Sequence, residues 1–270
     1  MNIELDGHAA YAYTGGKPLD PTLPGVVFVH GALHDHSVWI LQSRYLAHHG
    51  YAVLAVDLPA HGRSGGAPLG VQAAGRWLAS LVEASGVRRA ALVGHSMGSL
   101  IALEAAAHLG ARASALVMVG TGYPMTVSPK LLELCQRDVL AAIDLVNALS
   151  NSTHAAKPSH PGPGFSIHGS NRALARRMQR GYAAGNLFLA DFTACDAYAG
   201  LEAAANRVTC PVTLVLGARD QMTSPQAVAP IVAALKPHVV TLPVGHNLMA
   251  EAPDGVLNAI NDALAREPAR

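Results

Sequence analysis

Ser96 stands between two glycines in Leu92-Val93-Gly94-His95-Ser96-Met97-Gly98, the G-x-S-x-G spacing of an activated serine. The apolar run 90–93 before it predicts a buried strand, and residues 97–109 after it predict a helix. A strand that turns at once into a helix holds the residue at its tip in a strained backbone conformation. A Cβ at position 94 or 98 would strike the neighbouring strand or helix. The hydroxyl is thereby pushed out at the C-terminal edge of a sheet. There it lies beside a helix N-terminus whose free N–H groups favour negative charge. The chemistry of such a serine is nucleophilic attack on a carbonyl.

That attack needs a base, a group to orient the base, and donors for the developing oxyanion. His246, in Pro243-Val244-Gly245-His246-Asn247, follows the last predicted strand and is the candidate base. Asp220, in Leu216-Gly217-Ala218-Arg219-Asp220, follows another buried strand and is the candidate acid. The competing place for the acid is the end of the 115–119 strand, where Val119-Gly120-Thr121-Gly122 contains no carboxylate. Taken singly, either residue also fits an ordinary loop histidine or a turn cap. The order Ser, Asp, His, each just past a predicted strand, sets these three apart. The oxyanion donors are expected to be the backbone N–H groups of Met97 and of Ala32, the latter in His30-Gly31-Ala32. His30 itself is read as structural.

The elements that must place these groups follow from hydrophobic period. Residues 2–5 and 9–13 flank Asp6-Gly7 as a hairpin. Buried strands are predicted at 25–30, 51–56, 90–93, 115–119, 209–216 and 239–242. Helices are predicted at 37–49 with Ser37 as cap, at 69–85, at 97–109, and from 249 or 253 to 265. Strands alternating with helices argue an α/β fold with a mostly parallel sheet and helices on both faces. Residues 124–206 break this rhythm. Helical patterns at 130–149, 171–184 and 187–198 surround a Pro- and Gly-rich loop at 154–169, so an all-helical cap is expected over one sheet edge. The division is 1–123 and 207–270 for the core and 124–206 for the cap.

These segments together resemble the α/β-hydrolase superfamily across essentially the whole chain. The residues that carry the resemblance are His30-Gly31-Ala32, the turn 57–64 (Asp57-Leu58-Pro59-Ala60-His61-Gly62-Arg63-Ser64) and the elbow 94–98. Gly217-Ala218-Arg219-Asp220 looks like the acid loop, and Gly245-His246 with Glu251 and Pro253 looks like the histidine loop. Ala60 and Ser99 depart from the pattern, which often has glycine at both places. Both residues are small, so packing should survive. The resemblance implies an eight-stranded sheet with a lid after strand six, and hydrolysis of esters or related acyl bonds.

Substrate range is expected to depend on an apolar wall drawn from Leu33, Met125, Phe165, Leu187, Phe188 and Met222, with Met97 and Trp39 nearby. His34, His36 and His168 are candidates for polarity. A small-molecule substrate with an apolar acyl or alcohol group fits best. Carbon–carbon bond hydrolysis of diketone-like compounds and enol-lactone hydrolysis use the same three residues. A small-molecule receptor with slow turnover is a further reading. Ser96 rules out an Asp nucleophile.

Composition narrows the partners. The 270 residues are half hydrophobic and 14% charged, with a formal net charge of +1 and no basic block, so nucleic acid and anionic membrane are not implied. Arg172, Arg176, Arg177 and Arg180 are read as a solvated helix face. Cys135, Cys195 and Cys210 have no metal-ligand spacing, and neither do His30, His34 and His36 or His154, His160 and His168. No cofactor or metal is called for. With no signal-peptide pattern and no membrane-length apolar run, a cytoplasmic monomer or homodimer is expected.

Overall fold

A computed structural model of the chain describes residues 1–152 and 166–266. The amino end is a hairpin, β1 (Asn2–Leu5) and β2 (His8–Tyr13), closed by Asp6 and Gly7 at φ 50° and 76°. Both left-handed values are what a tight hairpin turn requires. The remaining strands are β3 (Gly25–Val29), β4 (Ala52–Val56), β5 (Ala90–His95), β6 (Ala113–Val119), β7 (Val212–Gly217) and β8 (His238–Leu242). They form one eight-stranded sheet in the order β1-β2-β4-β3-β5-β6-β7-β8. The pairs β1–β2 and β2–β4 are antiparallel and all others are parallel.

The buried strands are apolar on both sides, and their residues alternate between two cores. Val27, Val29, Leu92, Leu116 and Leu214 face one side, packed with α2 (Val71–Ala84) and α3 (Met97–Leu109). Val26, Phe28, Val93, Val117 and Val215 face the other. There α1 (Ile40–His48) and the C-terminal helices pack against them. Trp39 is fully buried on that second side, 5.1 Å from the Phe28 ring centroid. It is therefore core and no neighbour of a substrate pocket. Strand β8 is a departure from the expected buried strand. It pairs only with β7, so it forms the sheet edge, and Val239 is 41% exposed.

Between β6 and β7 lie α4 (Pro129–Arg137), α5 (Val139–Leu149), α6 (Ile167–Gly181), α7 (Leu187–Asp196) and the short α8 (Leu201–Ala205). The single helix expected over 130–149 is broken at Asp138. Its side chain accepts the N–H groups of Leu140 and Ala141, so it ends one helix and caps the next. In the same way Asp35, not Ser37, caps the turn leading into α1, accepting from Ser37 N–H. Helix α6 begins at Ile167, inside the predicted loop. Phe165, His154 and His160 lie outside the described residues. Helices α4 to α7 share a separate apolar cluster with Leu33. The chain ends in α9 (Ala229–Leu235), α10 (Leu248–Glu251) and α11 (Pro253–Ala265). Among the described residues, no helix is long and apolar enough to cross a membrane.

Two very close backbone approaches fall where β5 becomes α3. A Cβ on Gly94 would lie 2.1 Å from the Gly98 carbonyl oxygen, and one on Gly98 would lie 2.3 Å from the His30 carbonyl oxygen. Neither neighbour is a movable side-chain tip. Gly94→Ala should therefore destabilise the protein by about 3 kcal/mol, the upper range for overpacking. Urea unfolding followed by far-UV circular dichroism checks this; an unchanged midpoint would contradict the packing described.

Candidate active site

Ser96 sits at the tip of the turn with φ 52° and ψ −123°, a conformation disfavoured for any residue with a Cβ. Its own N–H is tied to the Val119 carbonyl at 2.9 Å, which joins the turn to β6. Met97 is the first residue of α3, so its N–H belongs to the helix N-terminus. Close by is the loop after β3, where Leu33 N–H donates to Asp191, His34 N–H to the Gly31 carbonyl, and His36 N–H to Asp57. Ala32 lies between these engaged groups and lines the same cavity as Ser96.

The cavity has a volume of about 260 Å³. It brings together Ser96, His246, Ala32, Leu33, Met125, Phe188 and Met222. Leu187 is not part of that wall. It is fully buried in the cluster shared by the helices, because the α7 face that carries it turns into the cap core. His34 does line the cavity, with its Nε2 at 2.9 Å from Asn171 Oδ1. His36 is elsewhere, bonded to Asp57 at 2.7 Å and packed against Tyr11 and Tyr13. His168 pairs with Asn147, whose side-chain N–H donates to the His168 carbonyl at 2.9 Å.

Asp220 lies behind His246 and is 5% exposed. Its Oδ2 is 2.7 Å from His246 Nδ1 and accepts from Thr223 Oγ at 2.8 Å. Its Oδ1 accepts the backbone N–H groups of Met222 and Thr223 at 2.7 and 2.8 Å. Burial would raise the carboxyl pKa, but the neighbouring His246 and these bonds outweigh it and hold Asp220 below the usual value. A carboxylate at Nδ1 fixes the imidazole hydrogen there and leaves the Nε2 lone pair free. Thr223 is a residue the sequence reading missed; its only trace is the Asp-x-x-Thr spacing of a side-chain-capped turn.

The histidine loop is held from three sides. His95 Nε2 lies 2.9 Å from the His246 carbonyl, and burial, with His246 and His34 nearby, drives its pKa well below the usual range. Asn247 N–H donates to the Ser150 carbonyl at 2.9 Å. Glu251 accepts from Ser152 N–H at 2.6 Å and from Gly245 N–H at 3.3 Å. The basic run on α6 is also more than a solvated face. Arg172 and Arg176 pair with Asp144 on α5, and Arg177 reaches Asp35 at 2.7 Å. Ala60, at φ 70°, occupies a left-handed position where a glycine carries no Cβ penalty. Ser99 uses its hydroxyl to bond the Ser96 carbonyl and Thr121.

Comparisons with known proteins agree with this architecture. Residues 26–259 match the family model described as the alpha/beta hydrolase family. A thermophilic esterase superposes with a TM-score of 0.77 at 22% identity, covering 98% of this chain and 97% of that one. The enol-lactonase of Burkholderia xenovorans superposes with a TM-score of 0.77 at 17% identity, covering 98% and 100%. At these identities the likeness is one of fold. The dihydrolipoyllysine-residue acetyltransferase component of the acetoin cleaving system of Cupriavidus necator is 35% identical over 120 residues, 43% of this chain and 30% of that one. The chain spans about a third of the length of the curated relatives it matches.

Asp220→Asn tests the pair directly. The amide keeps the shape but favours the wrong imidazole tautomer, so any turnover that uses His246 as a base should fall about 10³–10⁴-fold. The sign of the pH effect on stability follows from the depressed carboxyl pKa. The Asp220 contribution is present above the ordinary value of 3.8 and is lost as pH falls through the folded value. The stability gap between wild type and Asp220→Asn should thus be wide at neutral pH and should close as pH falls below 3.8 through the folded value, read by urea unfolding. A gap that widens in acid would contradict the assignment.

Proposed function

The chain belongs to the alpha/beta hydrolase family, and from that premise we propose that it is a serine hydrolase acting on a carboxylic ester or related acyl bond. One observation carries the reading. Ser96 and His246 share a cavity, and His246 Nδ1 is bonded at 2.7 Å to a carboxylate whose oxygens also take three donors from residues 222 and 223. In this reading Ser96 Oγ attacks the carbonyl carbon while His246 Nε2 takes its proton. The tetrahedral oxyanion is received by the N–H groups of Met97 and Ala32, each worth about 10²–10³ in kcat. Collapse breaks the acyl–oxygen bond, and His246 returns the proton to the leaving alcohol. Water then attacks the acyl-enzyme by the same route and frees the acid. Asp220 keeps the tautomer and stabilises the imidazolium.

The cavity supports a small substrate. Its 260 Å³ lies just below the roughly 300–1,000 Å³ of pockets for drug-sized ligands. Leu33, Met125, Phe188 and Met222 make much of the wall apolar, which suits a short apolar acyl or alcohol group. Residues 124–206 act as the cap over a core of 1–123 and 207–270. Free thiols at Cys135 and Cys195 support a reducing, cytoplasmic setting.

A fluorophosphonate probe should label wild type at Ser96 and spare Ser96→Ala, with the site read by peptide mass spectrometry. Labelling at another serine would remove the nucleophile assignment. His246→Ala should fold and lose turnover by several orders of magnitude. A panel of esters of graded chain length, run beside an enol lactone and a vinylogous diketone, reads the bond cleaved. Fastest turnover on short esters is the expected result. Fastest turnover on the lactone or the diketone would move the activity to that bond. Tight binding with negligible turnover throughout would point to a receptor.

A further inference from the structure

Helix α7 carries a carboxylate that stands apart from the Ser96–His246–Asp220 set. Asp191 is 3% exposed, and its Oδ2 lies 2.9 Å from Leu33 N–H and 2.9 Å from His61 Nε2. The two donors come from different loops at the sheet edge. Leu33 follows Ala32 in the loop after β3, and His61 lies in the loop after β4. His61 Nδ1 lies 3.0 Å from the Pro59 carbonyl. A carbonyl and a carboxylate both accept only, so both ring nitrogens of His61 carry hydrogen and the ring is an imidazolium. Burial opposes that charge, but Asp191 outweighs it and the His61 pKa is raised.

The adjacent ring of His30, 4.9 Å away, has the opposite assignment. Leu58 N–H donates to its Nε2, so only Nδ1 bears hydrogen, directed at the Gly31 carbonyl. Burial and the His61 charge push its pKa down to about 4. Asp57 is the other carboxylate that bears on His61. The charged pair therefore joins α7 to both loops.

Leu33 is where this pair meets the reacting groups. Its φ is +54°, a left-handed backbone that a residue with a Cβ disfavours. Its N–H lies in the Ala32–Leu33 peptide plane, which the two backbone torsions of Ala32 join to the plane that carries the Ala32 N–H. We propose that Asp191 is a positioning residue for the oxyanion loop: by bonding the Leu33 N–H it fixes the Ala32–Leu33 peptide plane against the strain of the left-handed Leu33, and so holds the Ala32 backbone with its N–H towards the cavity, making the oxyanion hole depend on α7 being seated. The proposal rests on the reading of Ala32 as an oxyanion donor. The Arg177–Asp35 pair, at 2.7 Å, ties α6 to the same loop, but its carboxylate takes the Ser37 N–H and not the peptide beside Ala32, so it offers the control.

The test uses the full chain as Asp191→Ala, Asp191→Asn, Arg177→Ala, Leu33→Gly and the double variant Asp191→Ala/Leu33→Gly. Each is read by kcat and KM on the best ester. A trifluoromethyl ketone reports on the tetrahedral adduct, and the product acid reports on ground-state binding. Asp191→Ala should lower kcat about 10–100-fold, below the full value of one oxyanion donor, with KM within about threefold. It should weaken the ketone by the same factor and leave product binding unchanged. Asp191→Asn, which keeps an oxygen for Leu33, should lose less, and it carries the test if Asp191→Ala does not fold. Arg177→Ala should lower thermal stability without this pattern. Glycine adopts φ +54° freely, so Leu33→Gly should recover part of the Asp191→Ala loss, a non-additive cycle. An unchanged kcat, an equal loss of product binding, the same split in Arg177→Ala, or an additive cycle would each overturn the proposal. A wild-type protein that takes no fluorophosphonate and turns over no ester would instead remove the serine-hydrolase reading beneath it.

Discussion

The turn at Ser96 constrains the rest of the molecule. Its φ of 52° and ψ of −123° bring β5 and α3 so close that a side chain at 94 would meet the Gly98 carbonyl. The same tightness sets the start of α3 against the end of β3, because Gly98 lies over the His30 and Val29 carbonyls. Placing the serine thus also places His30-Gly31-Ala32 beside it. Strain of this kind costs of the order of 1–3 kcal/mol. It persists because β5 is paired on both sides, by β3 and β6, and every residue of the strand is buried.

Around that turn the histidines divide by charge, and their partners decide which is which. His95 faces a carbonyl with Nε2 and is kept neutral by burial. His30 accepts a backbone N–H and is neutral as well. His61 faces acceptors at both nitrogens and is cationic, with Asp191 as its counter-ion. The fixed positive charge is held against the cap by its own carboxylate, and neutral rings line the approach to Ser96. A neutral His95 avoids placing a second cation against His246, 4.8 Å away between ring centroids. In the proposed mechanism the charge that develops on His246 therefore faces the Asp220 carboxylate and not a charged His95.

The parts that were legible in the sequence are those written in local pattern. Strand runs such as 25–29 and 115–119 are continuous apolar stretches, and the spacing of Ser96, Asp220 and His246 after strands follows from them. The pocket wall was legible only in part. Met125, Phe188 and Met222 reach the cavity, whereas Leu187 and Trp39 are buried elsewhere. All are apolar, and hydrophobicity says that a side chain is buried without saying in which of three clusters. The partners that hold the site are missing from the sequence reading for a different reason. Asp191 is 158 residues from Leu33 and 130 from His61, and no spacing rule spans that distance. The break at Asp138 and the cap at Asp35 show the same limit on a small scale. A single carboxylate able to take backbone N–H groups overrides the helical period on either side.

Helices α4 to α7 could in principle vary without touching the reacting groups, since they carry an apolar cluster of their own. The buried members of that cluster are drawn from those helices and from one residue of the core loops, Leu33. Leu33 therefore belongs to two systems. Its side chain packs with the cap, and its N–H, fixed by Asp191, sets the backbone next to Ala32. A change in cap packing that shifts α7 acts on Leu33 from both ends at once, through apolar contact and through the hydrogen bond. Substitutions that enlarge the cavity by displacing α7 would for that reason act on the loop of Ala32 and Leu33 as well as on the cavity volume. Those that work from Met125 or Met222, outside that helix, can reshape the wall while the loop stays in place.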